Sequence, residues 1–286
     1  MISIKWFFRA LLFVLVLTGG LSVHAQTFPK PAPTPAVSQA PSLESEFFKN
    51  ILRDQKAIWT APLHVERSDA KWMIPSGVGF MALATTDRIT GDEMAEAKRQ
   101  VGLSRAISHA GSVYGLGAVA TTFYLLGRKG HDYRARETGV LSAEALIDSM
   151  IVGGALKGIT QRARPLTGIE RSEFFDGGNS FPSGHSTQVW AVATVIANEY
   201  KDRRAVQIAA YGIASAVSVA RFTGHKHYLS DVIAGSALGY GIGRYVYKAR
   251  HRDPQDPTLS KSVWPQITPQ FNRGARQYGC ALTWNF

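Results

Sequence analysis

The chain has a single cysteine, Cys280, in 286 residues. One thiol excludes an internal disulfide framework and any metal centre built on several cysteines. Its simplest reading is a buried thiol. Acidic residues are the next shortage: 32 Lys and Arg stand against 21 Asp and Glu, for a net charge of +11. Such a balance suits anionic partners, whether nucleic acid, acidic membrane surfaces or phosphorylated substrates. Nucleic acid lacks its signature here. The basic residues are scattered, with short clusters at Arg128-Lys129, 201–204 and 248–252. No long basic run alternates with aromatics, so no nucleic-acid partner is expected. Strand-like alternation is nearly absent before the C-terminal tail, and no internal repeat is visible.

Residues 1–25 read as an export signal. Lys5 and Arg9 form a basic start, Ala10 to Leu21 the apolar run, and Val23-His24-Ala25 a small-residue cleavage site. An uncleaved membrane anchor is the alternative, although the run is short for a span. No cysteine follows the cleavage site, which argues against a lipoprotein. Residues 26–42 carry Pro29, Pro31, Pro33, Pro35 and Pro41 and read as an extended linker. Residues 43–252 form the foldable body.

The period there is helical, predicting an all-α bundle of six or more helices. Ser45 to Ala57 patterns as an amphipathic helix with Phe47, Phe48, Ile51 and Leu52 on one face, broken by Ala61-Pro62. Further helices are expected over 106–127, 141–157, 186–200, 205–220 and 228–248. A Gly-rich apolar segment runs from Trp72 to Ala84. Gly111 with Gly115, and Gly235 with Gly239 and Gly243, keep the four-residue spacing that lets helix backbones approach closely. Residues 253–286 read as a short irregular tail with a small hairpin around Gly274 or Gly279.

Several apolar segments are only about 14 to 16 residues long, under the ~20 of a full span. Yet alternating helices would place the basic clusters opposite the chemical motifs described next, a positive-inside arrangement. A cleaved signal followed by three crossings would leave Lys157 on the cytoplasmic side. Either the 72–84 segment does not cross, therefore, or the bundle is soluble or lies at the surface. The expectation is an exported protein, periplasmic or associated with the inner membrane, with its site facing the periplasm.

Three short clusters concentrate the chemistry. The first runs from Lys157 to Arg164-Pro165. The second is Pro182-Ser183-Gly184-His185, and the third runs from Arg221 through His225 and His227 to Asp231. A leaving phosphoryl group spreads its charge over its equatorial oxygens, and fixed cations around them are the main catalytic resource. Lys157, Arg164 and Arg221 supply three. Lys157 and Arg164 are seven apart and share a helical face if the helix continues to Pro165. Ser183 can cap the helix that follows it, Gly184 removes a side chain where a ligand approaches, and the free amides of the helix start bind anions. His185 then lies beside the anion as general acid. Asp231, one turn after His227, can accept a proton from one ring nitrogen and present the other as nucleophile.

A phosphohistidine is the natural product, with water then releasing phosphate. His225-Lys226-His227 raises a metal site, but no Asp/Glu/His set elsewhere completes a shell, and three nearby cations would repel an ion. No metal is expected. Pro75-Ser76-Gly77 has Val78 where a histidine is needed and reads as a structural turn.

In these residues the chain resembles the phosphatidic acid phosphatase type 2 superfamily, which includes bacterial non-specific acid phosphatases and vanadium haloperoxidases. The family pattern is KxxxxxxRP, PSGH and SRxxxxxHxxxD. It is matched in order and spacing from Lys157 to Pro165, Pro182 to His185 and Ala220-Arg221 to Asp231. Ala220 replaces the usual serine, which puts a supporting hydroxyl in doubt. The resemblance implies a helical bundle with the site at one end and no metal. It implies phosphate held by Lys157, Arg164, Ser183, Gly184 and Arg221, with His227 as nucleophile, His185 as acid and Asp231 as the partner of His227. The activity expected is hydrolysis of phosphomonoesters or diphosphates, chiefly of lipids such as phosphatidate or a polyprenyl diphosphate.

A soluble periplasmic acid phosphatase is the alternative. A vanadate-dependent haloperoxidase is a further one, since vanadate mimics the transition state as inhibitor or cofactor. A membrane protein retaining only a phosphate-binding pocket is the third, and the complete set of His185, His227 and Asp231 argues against it. Residues 54–62 are a candidate cover for the pocket.

Overall fold

The computed structural model describes residues 44–93, 104, 107–109, 111–165, 173–251, 266–272 and 277–283. The export signal, the Pro-rich linker and residues 252–265 lie outside them. Seven α-helices are found among the described residues: α1 (Phe47–Thr60), α2 (Ala70–Glu93), α3 (Val113–Lys129), α4 (Tyr133–Thr160), α5 (Gly184–Glu199), α6 (Arg204–Thr223) and α7 (Leu229–Arg250). A 3-10 turn, Ala61–His64, follows α1 at the proline expected to break it. The tail carries antiparallel strands β1 (Gln266–Asn272) and β2 (Gln277–Thr283), with Gln270 opposite Gly279. Gly274 therefore falls between the strands and Gly279 inside the second. The fold is all-α with this one hairpin.

Several boundaries differ from the sequence expectation for local reasons. The 106–127 stretch is not one helix. Ser112 caps α3, its hydroxyl accepting the Gly115 amide at 3.3 Å. α4 begins eight residues earlier than expected, where Asp132 accepts the Ala135 amide at 3.1 Å. Pro75-Ser76-Gly77 lies inside α2 rather than in a turn. α1 buries Asn50, Ile51 and Asp54, while Phe48 and Leu52 are 79% and 73% exposed. The expected apolar face holds for Ile51 and half-buried Phe47 but not for Phe48 and Leu52, and polar contacts help seat the helix. Asp54 pairs with Arg250 and Gln55 donates to Asp148 at 2.8 Å.

Helix α5 packs most extensively on α7, then on α4 and α6. One side of its core joins Leu141, Ala145, Val152, Val195, Ile242 and Val246. The other joins Leu116, Leu146, Val189, Val192 and Val217. The α5–α7 seam depends on small residues, as the spacing predicts. A Cβ on Gly235 would lie 2.7 Å from the Ser183 carbonyl oxygen, and one on Gly239 would run into that of Thr187. Nothing lies within 4 Å of a Cβ added at Gly241. Gly239→Ala should therefore cost about 1–3 kcal/mol of stability through overpacking, whereas Gly241→Ala should leave the melt unchanged or raise it. Thermal unfolding of the two variants checks this, and equal melts would contradict it.

From α3 to α7 successive helices alternate in direction. The C-termini of α4 and α6 thus meet the N-termini of α5 and α7 at one end. At the other, Arg134 of α4 donates to the Glu199 carbonyl at the end of α5 at 2.8 Å. The basic clusters at 128–129, 201–204 and 248–250 lie toward this second end. By length and composition α4 and α6 are apolar enough to cross a membrane. Of their most apolar stretches, 61% is buried in α4 but only 28% in α6, so α6 turns most of its apolar surface outward.

Candidate active site

The first end of the bundle gathers all eight expected residues, though not all as expected. Lys157 is in the last turn of α4. The helix does not continue to Pro165. It stops at Gln161, whose backbone is left-handed (φ 43°, ψ 38°) and whose amide bonds the Lys157 carbonyl. Lys157 and Arg164 therefore do not share a helical face. They meet through Asn179 instead: Lys157 Nζ donates to its carbonyl and Arg164 Nε to its side-chain oxygen, both at 2.7 Å. Lys157 also donates to the Pro182 carbonyl at 2.6 Å, so it shapes the loop before α5 as well as carrying charge.

Ser183 takes the cap position of α5, but its side chain makes no cap hydrogen bond. Its hydroxyl accepts from Ser186 at 3.1 Å, and its amide donates to the Asp231 carbonyl at 3.0 Å. The amides of the first turn of α5 have no intrahelical acceptor. A Cβ at Gly184 would lie 3.7 Å from Lys157 Cε, so this position faces the lysine. His185 follows it.

His227 is 2% exposed. Its Nδ1 donates to the Ser180 carbonyl at 2.8 Å, while the nearest Asp231 oxygen is 3.8 Å away. Asp231 is thus not the direct acceptor that the four-residue spacing suggests. The Ser180 carbonyl sets the tautomer, which leaves Nε2 with the free lone pair. Asp231 is held just behind: its Oδ2 accepts the Ser180 hydroxyl at 2.5 Å and the Tyr228 amide at 3.0 Å.

Burial, outweighing the nearby Asp231, lowers the His227 pKa to about 4. Burial, then the charges of Arg221, His227, Arg164 and His109, likewise lower His185 to about 4. Burial alone would raise Asp231, but nearby His227, the Arg162 charge and the Ser180 hydroxyl together hold it below the usual carboxylate range.

Beside His185 opens a cavity of about 250 Å³, lined by Ser104, Ser108, His109, Ala220, Arg221, Gly224 and Lys226. Ala220, in place of the family's serine, puts a methyl group in this wall. The Nε of Arg221 is buried and has no hydrogen-bond partner among the described residues.

Three site residues escaped the sequence reading. Arg162 is fully buried. It donates to Ser230 Oγ and Asp231 Oδ1, both at 2.6 Å, and to Asp87 Oδ2 at 2.8 Å. Asp87 comes from α2. Ser180 joins Asp231 to His227. Arg162 had a positional signal, since it lies inside the first motif, but Asp87 and Ser180 had none.

Contrary to the sequence expectation, sets of possible metal ligands do exist. Asp54, Glu144 and Asp148 form one, and Glu137, Glu199 and His251 another, each with ligand atoms within 4.8 Å. Both lie away from the histidines. Asp148 is more than two turns before Lys157 on α4, and Arg250 and His251 stand at the C-terminal end of α7. Arg250 already engages the first set, 3.2 Å from Glu144, and within the second His251 lies 3.3 Å from Glu199. Asp54 itself pairs with Arg250 at the opposite end of α7 from Asp231, so the start of the proposed 54–62 cover is not over the site. His225 and His227 belong to neither set.

A helical bundle with two histidines, a buried carboxylate and three cations at one end defines a class built to handle an anion. Residues 138–254 match the model of the PAP2 superfamily. That stretch holds all eight motif residues. Over 81 residues the chain is 36% identical to a lipid A 1-phosphatase of Porphyromonas gingivalis, covering 28% of this chain and 18% of that protein. Over 144 residues it is 30% identical to a PA-phosphatase related-family protein of Dictyostelium discoideum, covering 44% of this chain and 52% of that protein. The chain thus spans at most 52% of these curated relatives.

Among solved structures, the transmembrane PAP2 type phosphatidylglycerolphosphate phosphatase of Bacillus subtilis aligns with a TM-score of 0.48 and 21% identity, over 73% of this chain and 98% of that one. Aquifex aeolicus LpxE aligns with a TM-score of 0.45 and 18% identity, over 57% and 93%.

Proposed function

We propose that the chain is a metal-independent phosphatase that hydrolyses lipid-borne phosphomonoesters or diphosphates through a phosphohistidine on His227. The observation that carries this reading is the setting of His227: neutral, buried, its Nδ1 committed to the Ser180 carbonyl, with Lys157, Arg164 and Arg221 around it. In the first step the Nε2 lone pair forms the N–P bond as the bond from phosphorus to the leaving oxygen breaks. His185 gives its proton to that oxygen. A low pKa suits the nucleophile but not the acid. The incoming phosphate dianion offsets the cations that depress His185 and returns a proton to it. In the second step a water oxygen attacks phosphorus, the N–P bond breaks, and the water's proton passes to His185. Lys157, Arg164, Arg221 and the amides of Gly184 and His185 would hold the equatorial oxygens.

Two features favour a lipid substrate. Exposed apolar side chains stud the outer faces of the helices, among them Leu125, Ile151, Ile159, Ile208, Val219 and Ile233. Such a surface suits contact with a bilayer. The curated relatives are named for lipid A and for PA phosphatase. The protein is accordingly proposed to be exported and membrane-associated, with the site on the periplasmic side. Vanadate should bind the same cations as an inhibitor.

Phosphate release from phosphatidate in mixed micelles, measured beside a soluble aryl phosphate with and without a chelator, tests this. The lipid should be turned over with the higher kcat/KM, and the chelator should have no effect. Preference for the aryl phosphate would make the protein a general acid phosphatase. Turnover of neither would sink the phosphatase reading. Loss to the chelator, restored by added metal, would overturn the metal-free chemistry.

A further inference from the structure

We propose that Asp87 and Arg162 are positioning residues, forming with Asp231 and Ser180 a buried relay that sets the charge behind His227. This rests on the phosphohistidine reading above. It adds Arg162, at a position the first motif leaves unspecified, and Asp87, on a helix outside the matched stretch.

The described residues form a closed circuit. The left-handed Gln161 turns the chain so that Arg162 points inward. There its guanidinium lies between the rings of Phe174 and Tyr228, 4.7 and 4.6 Å from their centroids. One terminal nitrogen serves Asp231 and Ser230, and the other serves Asp87. Asp87 completes the circuit by accepting the Ser230 amide at 3.2 Å and the Ser230 hydroxyl. Asp87, Arg162 and Asp231 are each fully buried. The other oxygen of Asp231 takes the Ser180 hydroxyl, and the carbonyl of the same serine takes the His227 ring proton. Asp231 thus reaches His227 through Ser180 and through space over 3.8 Å.

The charges decide what this can do. Among the described residues, two carboxylates and one guanidinium leave one net negative charge in a dry interior. When Nε2 of a ring already protonated at Nδ1 bonds to phosphorus, the imidazole becomes cationic. The excess negative charge stabilises that cation, while Arg162 keeps Asp231 ionised and fixed. Besides the relay, His227 faces Lys157 of α4, His185 of α5 and Arg221 of α6. Arg164 also bears on Asp231. These cations all oppose a cationic ring, which is why a compensating carboxylate behind it matters.

The test compares Asp87→Asn and Arg162→Gln, with Arg162→Lys as the conservative variant. For each, kcat, KM and the pH profile of kcat/KM are measured. Asp87→Asn keeps the shape and removes the excess charge. It should lower kcat about tenfold with KM nearly unchanged, because the loss falls on the transition state. It should also move the acid limb of the profile down, since His227 and Asp231 then sit in a more positive setting. Arg162→Gln should move that limb up by about half a unit or more, and Arg162→Lys should bring it back toward wild type.

Limbs that stay in place, or that move together in one direction, would overturn the relay and leave the two residues purely structural. If Arg162→Gln does not fold, the isosteric Asp87→Asn decides alone: an unchanged kcat overturns the proposal. A wild-type enzyme that releases phosphate without ever carrying it on histidine would instead sink the underlying mechanism, so the two failures are distinguishable.

Discussion

Replacing His227 by alanine should lower phosphate release by about a thousandfold or more, with the helical content unchanged. The expectation comes from what the substitution removes. The ring is 2% exposed, and its Nδ1 is tied to the Ser180 carbonyl, so Nε2 is the nucleophilic nitrogen set by the surrounding bonds. No other ring in the site is held this way. His185 lines the cavity beside Arg221, and its pKa is lowered chiefly by burial. It is placed to protonate a leaving group rather than to substitute for His227. Folding should survive because the core clusters that join α4 to α5 and α7, and α5 to α6, do not include His227. Near-wild-type release by the variant would remove the histidine mechanism altogether.

Arg221→Ala should have the next largest effect, a fall in kcat/KM of about a hundredfold to a thousandfold, the usual scale for one preorganised charge donor at the reacting centre. Arg221 sits in the last turn of α6, and its buried Nε has no hydrogen-bond partner among the described residues. Lys157 and Arg164, by contrast, already donate to protein oxygens of the 179–182 loop. A donor kept dry and unengaged is the one an anionic substrate gains most from meeting. Arg221→Lys should recover only part of the loss, because an ammonium group cannot present the planar fork. Steady-state kinetics on the phosphatidate substrate checks both variants, and activity near wild type for Arg221→Ala would contradict the assignment.

The gathering of the three motifs was legible because it rests on residue type and spacing, which a sequence displays directly. The α5–α7 seam was legible for the same reason, since Gly235, Gly239 and Gly243 leave room that can be read from their four-residue period. The failures share one cause. Arginine and aspartate are exposed by default, so nothing marked Arg162, Asp87 or Asp54 as buried, and burial comes only from partners far along the chain. Asp87 and Ser230 are 143 residues apart. Helix α1 misled in part for that reason, since Asp54 is buried against Arg250 while Phe48 and Leu52 face outward. The end of α4 misled because Pro165 draws attention to itself as a breaker, whereas the chain actually turns at Gln161, a residue with no such reputation. The direct His227–Asp231 bond was a fair inference from spacing alone, but a backbone carbonyl from residue 180 stands closer.

The most direct measurement is to mix the wild-type enzyme with phosphatidate carrying a labelled phosphate, quench within a turnover, and map the label. The account expects an acid-labile, base-stable phosphoryl group on His227 and none in His227→Ala. Label on another residue, or continued turnover with no labelled histidine at any quench time, would contradict it.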